Sequence, residues 1–298
     1  MPAQAICRGE VVLTHLFRYP VKSMIGERLR EASITRRGVA GDRGWALLDP
    51  ATGLVVSAKH PRKWRRMLQL TAHIAGGDGL VEVRFPSGRA VRSDERDIAD
   101  RALSDFLGRQ VRLVDAAPQL AVIERDDPDQ GGALTGTVTT GRIGSSAPGG
   151  EFLDHGTLHV VTAATLRRLH ELGPQHHFPP ARFRPNMVLD VPSCSEFAED
   201  GWQGKVIHVG AEVVLRVQEP TPRCAVPTLA QTSLDEDPGV IATIARHHRI
   251  PIEGLGPRPC VGAYAEVLHG GTVHEGDRVT LVPGRSLESG GGPSAGFL

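Results

Sequence analysis

Cysteine is scarce in this chain: Cys7, Cys194, Cys224 and Cys260 are the only four in 298 residues, and no two of them form a C-x-x-C pair. That excludes a disulfide framework and a zinc site of the C-x-x-C type, and it favours a reducing cytoplasm. Net charge is missing as well, because lysine plus arginine and aspartate plus glutamate number 34 each. No global field therefore draws the protein to nucleic acid or to an anionic membrane, and any bound anion must be met by a local cluster of cations. No apolar run approaches the roughly 18 residues of a membrane helix, and the opening MPAQAICRGEVVLTHLF has no basic stretch ahead of a long apolar one. The expectation is a soluble, unprocessed chain with neither a membrane nor a nucleic-acid partner. The motifs G-x-x-x-x-G-K-[ST], G-x-G-x-x-G and G-x-S-x-G are absent too, so nucleotide binding and serine-hydrolase chemistry lack their usual support.

Glycine (35) and proline (22) are what the chain has in plenty, and they punctuate short segments rich in valine, leucine and isoleucine. This pattern predicts a mainly β protein with a few helices. VVLTHLFRYPV, WALLD, GLVVSA, LQLTAHIA, GLVEVRF, RAVRS and QVRLVDA read as strands of an antiparallel unit in the first third. SDERDIADRALSDFLGR reads instead as an amphipathic helix, with Ile98, Ala102, Leu103, Phe106 and Leu107 at helical spacing, a cap at Ser93 or Asp94, and Gly108 as its stop. From Glu124 to Gly150 the composition turns polar and glycine-rich, which predicts a linker or mobile loop.

Beyond that point LHVVTAATLRRLHELG predicts a strand running into a helix capped by Thr162, and KVIHVGAEVVLRVQEP returns to strand. PGVIATIARHHR predicts a further helix with Pro238 in its first turn, and CVGAYAEVLHGGTVHEGDRVTLVPG two strands across a glycine-rich turn. The length suits two domains, placed at 1–125 and 126–285, with a disordered tail at 286–298.

Several short stretches carry possible chemistry. In YPVKS, Lys22 and Ser23 set a charge and a hydroxyl side by side at a strand end, fit either for a phosphate oxygen or for solvent; Arg43, after a glycine turn, has the same two readings. In RFRPNMVLD, Pro185 stiffens the approach to an apolar strand, with Arg184 able to fork onto an anion and Asn186 offering both donor and acceptor. An edge strand whose arginine pairs with a local carboxylate fits those residues equally. In PTPRCAVPT, Cys224 follows Arg223 between prolines. A partly exposed thiol beside an arginine should ionise readily, so a catalytic thiol, a single metal ligand and an inert buried cysteine all remain open. His176–His177 and His247–His248 are adjacent pairs, whose neighbours face different ways, and KHPRKWRRM, with five cations, reads as a solvated face.

Taken in order, LFRYPVKSMIGERLREASITRRGVAGDRGWALLD, FRPNMVLD, GAEVVLRVQEPTPRC and VGAYAEVLHGGTVHEGDRVTLV resemble the MOSC family, the domains found at the carboxyl end of molybdenum cofactor sulfurase and in the mitochondrial amidoxime-reducing component. The resemblance runs from about Val11 to Val282 and includes the family's amino-terminal β-barrel domain, so it implies two β-barrel domains. It also implies a molybdenum cofactor (Mo-molybdopterin) whose metal is held by the pterin dithiolene and by the Cys224 thiolate. Lys22, Ser23, Arg43, Arg184 and Asn186 match cofactor-holding positions, Thr157 falls near another, and Arg223 sits beside the ligand. The implied activity is reduction of N-hydroxylated small molecules, with electrons from a separate flavin or iron–sulfur reductase. The alternative is a sulfur-transfer protein that takes sulfur from a donor protein as a persulfide on Cys224 or delivers sulfurated molybdenum cofactor to a client enzyme. Pyridoxal phosphate binding comes with the resemblance only as a family association, since no desulfurase domain precedes the matched region. The ligand element departs from the family: Thr221 stands where several relatives have a cysteine, and Pro222 where serine or asparagine is usual.

Overall fold

The computed structural model describes residues 10–77, 79–118, 121–128, 134–144, 149–191 and 196–282. Cys7, Cys194 and the expected tail at 286–298 lie outside the described residues. Seven strands close into a barrel. In chain order they are β1 (Val11–Arg18), β2 (Leu158–Thr162), β3 (Met187–Asp190), β4 (Val206–Val209), β5 (Val213–Pro222), β6 (Gly256–His269) and β7 (Arg278–Val282).

Closure follows from register. Antiparallel β1 sets Leu13 against Leu189 of β3 and Val11 against Val279 of β7. The ring continues through Ile207↔Leu281, Ile207↔Leu215 and Leu215↔Val267, and it shuts where Val160 of β2 faces Ala263 of β6. The alternating buried residues of β1, Val11, Leu13 and Leu16, meet Met187, Leu189, Ile207 and Leu215 inside. One pair, β2–β3, is parallel. A parallel pair needs a crossover, and α2 (Ala163–Leu172) supplies it, capped as expected by Thr162, whose Oγ1 accepts from the Thr165 amide at 3.1 Å. A further helix, α3 (Gly239–His247), packs Val240, Ile241 and Ile244 with Leu169 in a separate apolar cluster on the barrel's outside.

The first third builds its own core between β1 and residue 114. There α1 (Arg96–Leu107) lies on the short strands Thr71–Ala75, Leu80–Arg84 and Ala90–Arg92, burying Leu103 and Leu107 with Trp45, Trp64 and Val83. Gly108 ends α1 in the left-handed conformation, as expected. Its start differs from expectation: Glu95 is the N-cap residue, because the Ser93 hydroxyl already accepts from the Val81 amide and the Asp94 carboxylate is held by Arg92. Ile98 faces solvent, and Ala99 takes the core position.

Four other expectations are corrected. The Glu124–Gly150 segment is not a linker: Val122–Pro128 and Leu134–Arg142 form a hairpin, with Arg125 opposite Thr139. Its polar residues misled, since one buried apolar side chain among those described, Ile123, seats it against Ala46, Val55 and Phe152. GLVVSA forms no strand, because Val55 divides its pairing between isolated bridges to Leu48 and Ile123. The carboxyl-terminal strands number three, since Gly271–His274 leaves the barrel after β6 and pairs with Glu31–Thr35. Pro238 stands at the N-cap of α3, one residue ahead of the first turn. Among the described residues no helix is long and apolar enough to cross a membrane.

Where β2 meets β6, Gly262 has φ +79°, and a Cβ there would lie 2.4 Å from His159 Nε2 and 2.6 Å from the Val160 carbonyl oxygen. Gly262→Ala is expected to lower unfolding stability by about 2 kcal/mol or more, through left-handed strain and overpacking. An unchanged denaturant midpoint would show that the barrel seam is looser than this.

Candidate functional site

Five connections converge above one end of the barrel: the turn after β1, the 39–45 turn, the segment leading into β2, the approach to β3 and the turn after β5. Lys22, Ser23, Arg43, Arg184, Asn186, Arg223 and Cys224, far apart in sequence, all line the single cleft they form. Thr157 does not. It is buried beneath Gly38, and its neighbour Gly156 reaches the cleft instead.

The backbone is strained where the cleft is built. Ser23 (φ 64°), Arg43 (φ 49°) and Arg184 (φ 55°) are three of the four non-glycine residues with left-handed backbone among the described residues. Each such conformation costs about 1 kcal/mol or more and persists only where the surroundings enforce it. The Arg43 amide bonds the Tyr19 carbonyl at 2.7 Å and the Trp45 amide the Pro20 carbonyl at 3.0 Å, while Arg184 closes the one-turn helix Pro180–Phe183. Tyr19 lies between the two arginines, their guanidinium carbons 4.8 Å and 4.4 Å from its ring centroid.

Charge is concentrated beside this frame. Buried Lys22 donates from Nζ to the Phe152 carbonyl at 2.9 Å and to Asp154, and Lys59 Nζ lies 3.2 Å from the other Asp154 oxygen. Burial brings the Lys22 ammonium down to about 8 against the pull of Asp154. Burial opposes ionisation of Asp154 too, but the two ammonium groups outweigh it and hold the carboxyl far below its usual range. Lys59 is raised despite its own burial, by Asp154 first and then by Cys224 and Tyr264. Arg184 is lowered to about 10 by burial and by Arg43, so it stays charged at neutral pH. Arg43 is raised because Asp42, which it contacts directly, outweighs the burial.

His159 is held neutral. Burial and then Arg223 push it down to about 3, and its Nε2 donates to the Val261 carbonyl at 3.1 Å. The Asn186 side chain is engaged in structure: its Oδ1 accepts from the His159 amide at 3.1 Å and its Nδ2 donates to the Phe17 carbonyl at 3.4 Å.

Cys224 is half-buried. Behind it, Arg182 fixes the turn by donating to the carbonyls of His177, Pro227 and Asp235, each at 2.9 Å. Arg223 donates from Nη2 to the Phe183 carbonyl at 2.8 Å, while its buried Nε has no partner. Thr221, at the departure from the family's element, is buried and does not reach the cleft. Cys224 also belongs to a second, adjoining chamber, with Lys59, Asp154, Pro222, Arg223 and Tyr264 common to both.

Lys59, Asp154, His159 and Tyr264 are the site residues that sequence reasoning missed. Lys59 was hidden in KHPRKWRRM, the run read as a solvated face. The tyrosines offered a signal, because the chain has only two and both lie here, Tyr264 in the wall and Tyr19 under the arginines. The histidine pairs form no joint site: His176 bonds Asp237 and His248 bonds Asp200. Cys260 is inert, its thiol pushed up to about 12 by burial.

Family models match two segments: the MOSC N-terminal beta barrel domain over residues 10–119 and the MOSC domain over residues 149–280. The chain belongs to the MOSC-domain family. Among solved structures it is similar to the YUAD protein of Bacillus subtilis, at 12% identity over 92% of this chain and 96% of that one, with a TM-score of 0.44. It is also similar to YiiM of Geobacillus stearothermophilus (17% identity, TM-score 0.30) and of Escherichia coli (14% identity, TM-score 0.29), covering 43% of this chain and 54% of each of those. No curated protein matches it.

Family membership is consistent with molybdenum-cofactor binding, and the donor set of the cleft fits such a group. A thiol suits a soft metal, the arginines with Ser23 suit a phosphate-bearing pterin, and the orphaned Arg223 Nε is a donor awaiting an acceptor. Among the described residues no cluster of three or more His, Cys, Asp or Glu side chains could hold a metal ion, so a metal on Cys224 would need its other ligands from the cofactor.

Lys22 yields a pH test. Raising the pH through about 8 removes a positive charge from the cleft, so phosphate binding to protein purified without cofactor should weaken severalfold between about pH 7 and pH 9. Lys22→Met should flatten that dependence. A flat calorimetric profile in the wild type would mean that Lys22 does not face the anion.

Proposed function

We propose that this MOSC protein is a molybdenum-cofactor-dependent reductase of N-hydroxylated small molecules, fed with electrons by a separate flavin or iron–sulfur protein. The observation that carries this reading is the convergence of a half-buried thiol and three anchored arginines on one cleft that opens beside the thiol into a second chamber. Cys224 Sγ would be the protein ligand to the metal. Arg43, Arg184 and Arg223 would hold the pterin and its phosphate, with Ser23 oriented by its Oγ, which accepts from the Ala58 amide at 3.0 Å. Lys22 and Lys59 would keep Asp154 ionised at the cleft floor. When bound, the cofactor supplies a redox-active metal that can remove oxygen from an N–OH group. The overall change takes two electrons and two protons and yields the N–H compound and water. The chain's own contribution is orientation and electrostatics.

Expression in a host that makes the cofactor, followed by metal analysis and an amidoxime assay with an artificial electron donor, is the direct test. The wild type should carry close to one molybdenum per chain and reduce an aryl amidoxime; Cys224→Ala should lose both by about tenfold or more. Full molybdenum content in the variant would overturn the ligand assignment. A fully loaded wild type that leaves every N-hydroxylated compound intact would overturn the reductase reading.

A second reading has support in the accessibility of the Cys224 thiol from the second chamber, where Arg223 and Lys59 flank it. It makes Cys224 a persulfide carrier. Incubation of metal-free protein with a cysteine desulfurase and free cysteine should then add one sulfur to the peptide containing Cys224, and an unmodified peptide by mass spectrometry would eliminate it.

A further inference from the structure

The second chamber has a charge pattern that the cofactor reading does not use. Four arginines, Arg125, Arg142, Arg249 and Arg258, line it outside the part it shares with the inner cleft. With Arg223 and Lys59, six cations face two carboxylates, in a protein of zero net charge. Both carboxylates are already engaged, Asp154 with Lys22 and Lys59, and Glu219 with His155. Among the described residues Arg142 and Arg258 have no ion-pair or hydrogen-bond partner for their guanidinium groups. The same chamber has an apolar share of lining from Tyr264, Pro222, Pro259, Ile252 and Leu255.

Two hairpins place the arginines. Arg125 and Arg142 come from the 122–142 hairpin, which is tied down by the Asp126 amide bonding the Lys59 carbonyl at 2.8 Å. Arg249 and Arg258 come from the 249–259 hairpin, in which Arg249 pairs with Pro259 and Ile250 with Arg258. The base of this hairpin is held by His248, whose Nδ1 lies 2.8 Å from the Cys260 carbonyl oxygen and whose Nε2 lies 2.7 Å from Asp200.

We infer that the outer chamber is the substrate site and that it selects substrates carrying a carboxylate or similar anion, held by Arg142, Arg249 and Arg258 while the apolar body lies along Tyr264 and the reacting end points to Cys224. Guanidinium forks match carboxylates in shape as well as charge. The substrate class is thus an N-hydroxylated organic acid. Its N–OH end rests on the reductase reading above; the anion site stands on the chamber alone.

The test pairs an aryl amidoxime with its para-carboxylate analogue and measures binding to the holo-protein by calorimetry alongside kcat/KM. The carboxylate should bind about tenfold more tightly at low salt, with the preference shrinking as salt screens it. Arg142→Ala/Arg258→Ala should bring the ratio close to one, Arg142→Lys/Arg258→Lys should restore part of it, and the surface control Arg101→Ala should leave it intact. Equal binding of the two compounds by the wild type, or a preference that survives the double alanine variant, overturns the inference. So does loss of molybdenum from that variant, which would assign the outer arginines to the cofactor's own phosphate. If the carboxylate preference is present and arginine-dependent but neither compound is reduced, the anion site holds and the reductase reading falls.

Discussion

The site depends on one charged cluster: Asp154 between the ammonium groups of buried Lys22 and partly exposed Lys59. Each member comes from a different part of the chain, the turn after β1, the segment ahead of the 61–64 helical turn and the approach to β2. A lone ammonium as buried as that of Lys22 would neutralise or draw in water, whereas the adjacent carboxylate makes its burial tolerable. The cluster therefore closes the floor of the cleft. It also leaves one net positive charge there, available to an anion bound above, and this is one reason a protein with no overall charge can hold a locally positive pocket.

Around that cluster the backbone makes the second commitment. Ser23, Arg43 and Arg184 accept left-handed conformations that glycine would adopt at less cost. Glycine could not present the hydroxyl or the guanidinium groups, so the need for those side chains outweighs the strain. The two arginines pack against one aromatic ring, and Arg184 is lowered first by burial and then by repulsion from Arg43. A bound phosphate would relieve that repulsion, so the cleft is better suited to an anion than to water.

The barrel was legible in the sequence because β1, β2, β4 and β5 bury apolar residues at strand spacing, and the α2 cap was legible because Thr162 stands where a strand pattern turns into a helical one. The 122–142 hairpin was not, because its packing rests on Ile123 while exposed threonines, glycines and charges dominate its composition. Of the site, the residues that motifs mark were legible: Lys22, Arg184, Arg223 and Cys224 each lie within two residues of a proline. Lys59 and Asp154 were not, since an ion pair spanning 95 positions leaves no local pattern. Asn186 shows the converse. Its residue type suggests ligand contact, but the structure needs its amide to join β1 and β2.

Cys224 lines both chambers, which is the position that single-thiol ligation, as proposed, would demand. A metal held by one protein atom and a cofactor must keep one side open for a reactant, so the thiol has to stand at a boundary between a closed cleft and an accessible one. The prolines on either side of it, Pro222 and Pro227, and the three carbonyl contacts of Arg182 hold that boundary at little cost in flexibility. Arg223 serves both sides: its Nη2 is anchored to Phe183 in the inner wall, and its orphaned Nε remains for a bound group. Replacing it with lysine would preserve charge but lose the second, geometrically fixed donor, because an ammonium cannot hold a wall carbonyl and present a separate planar N–H to a ligand at once. The arginine at this position is thus a requirement of geometry as well as of charge, and the same reasoning explains why arginine outnumbers lysine among the cations of the outer chamber.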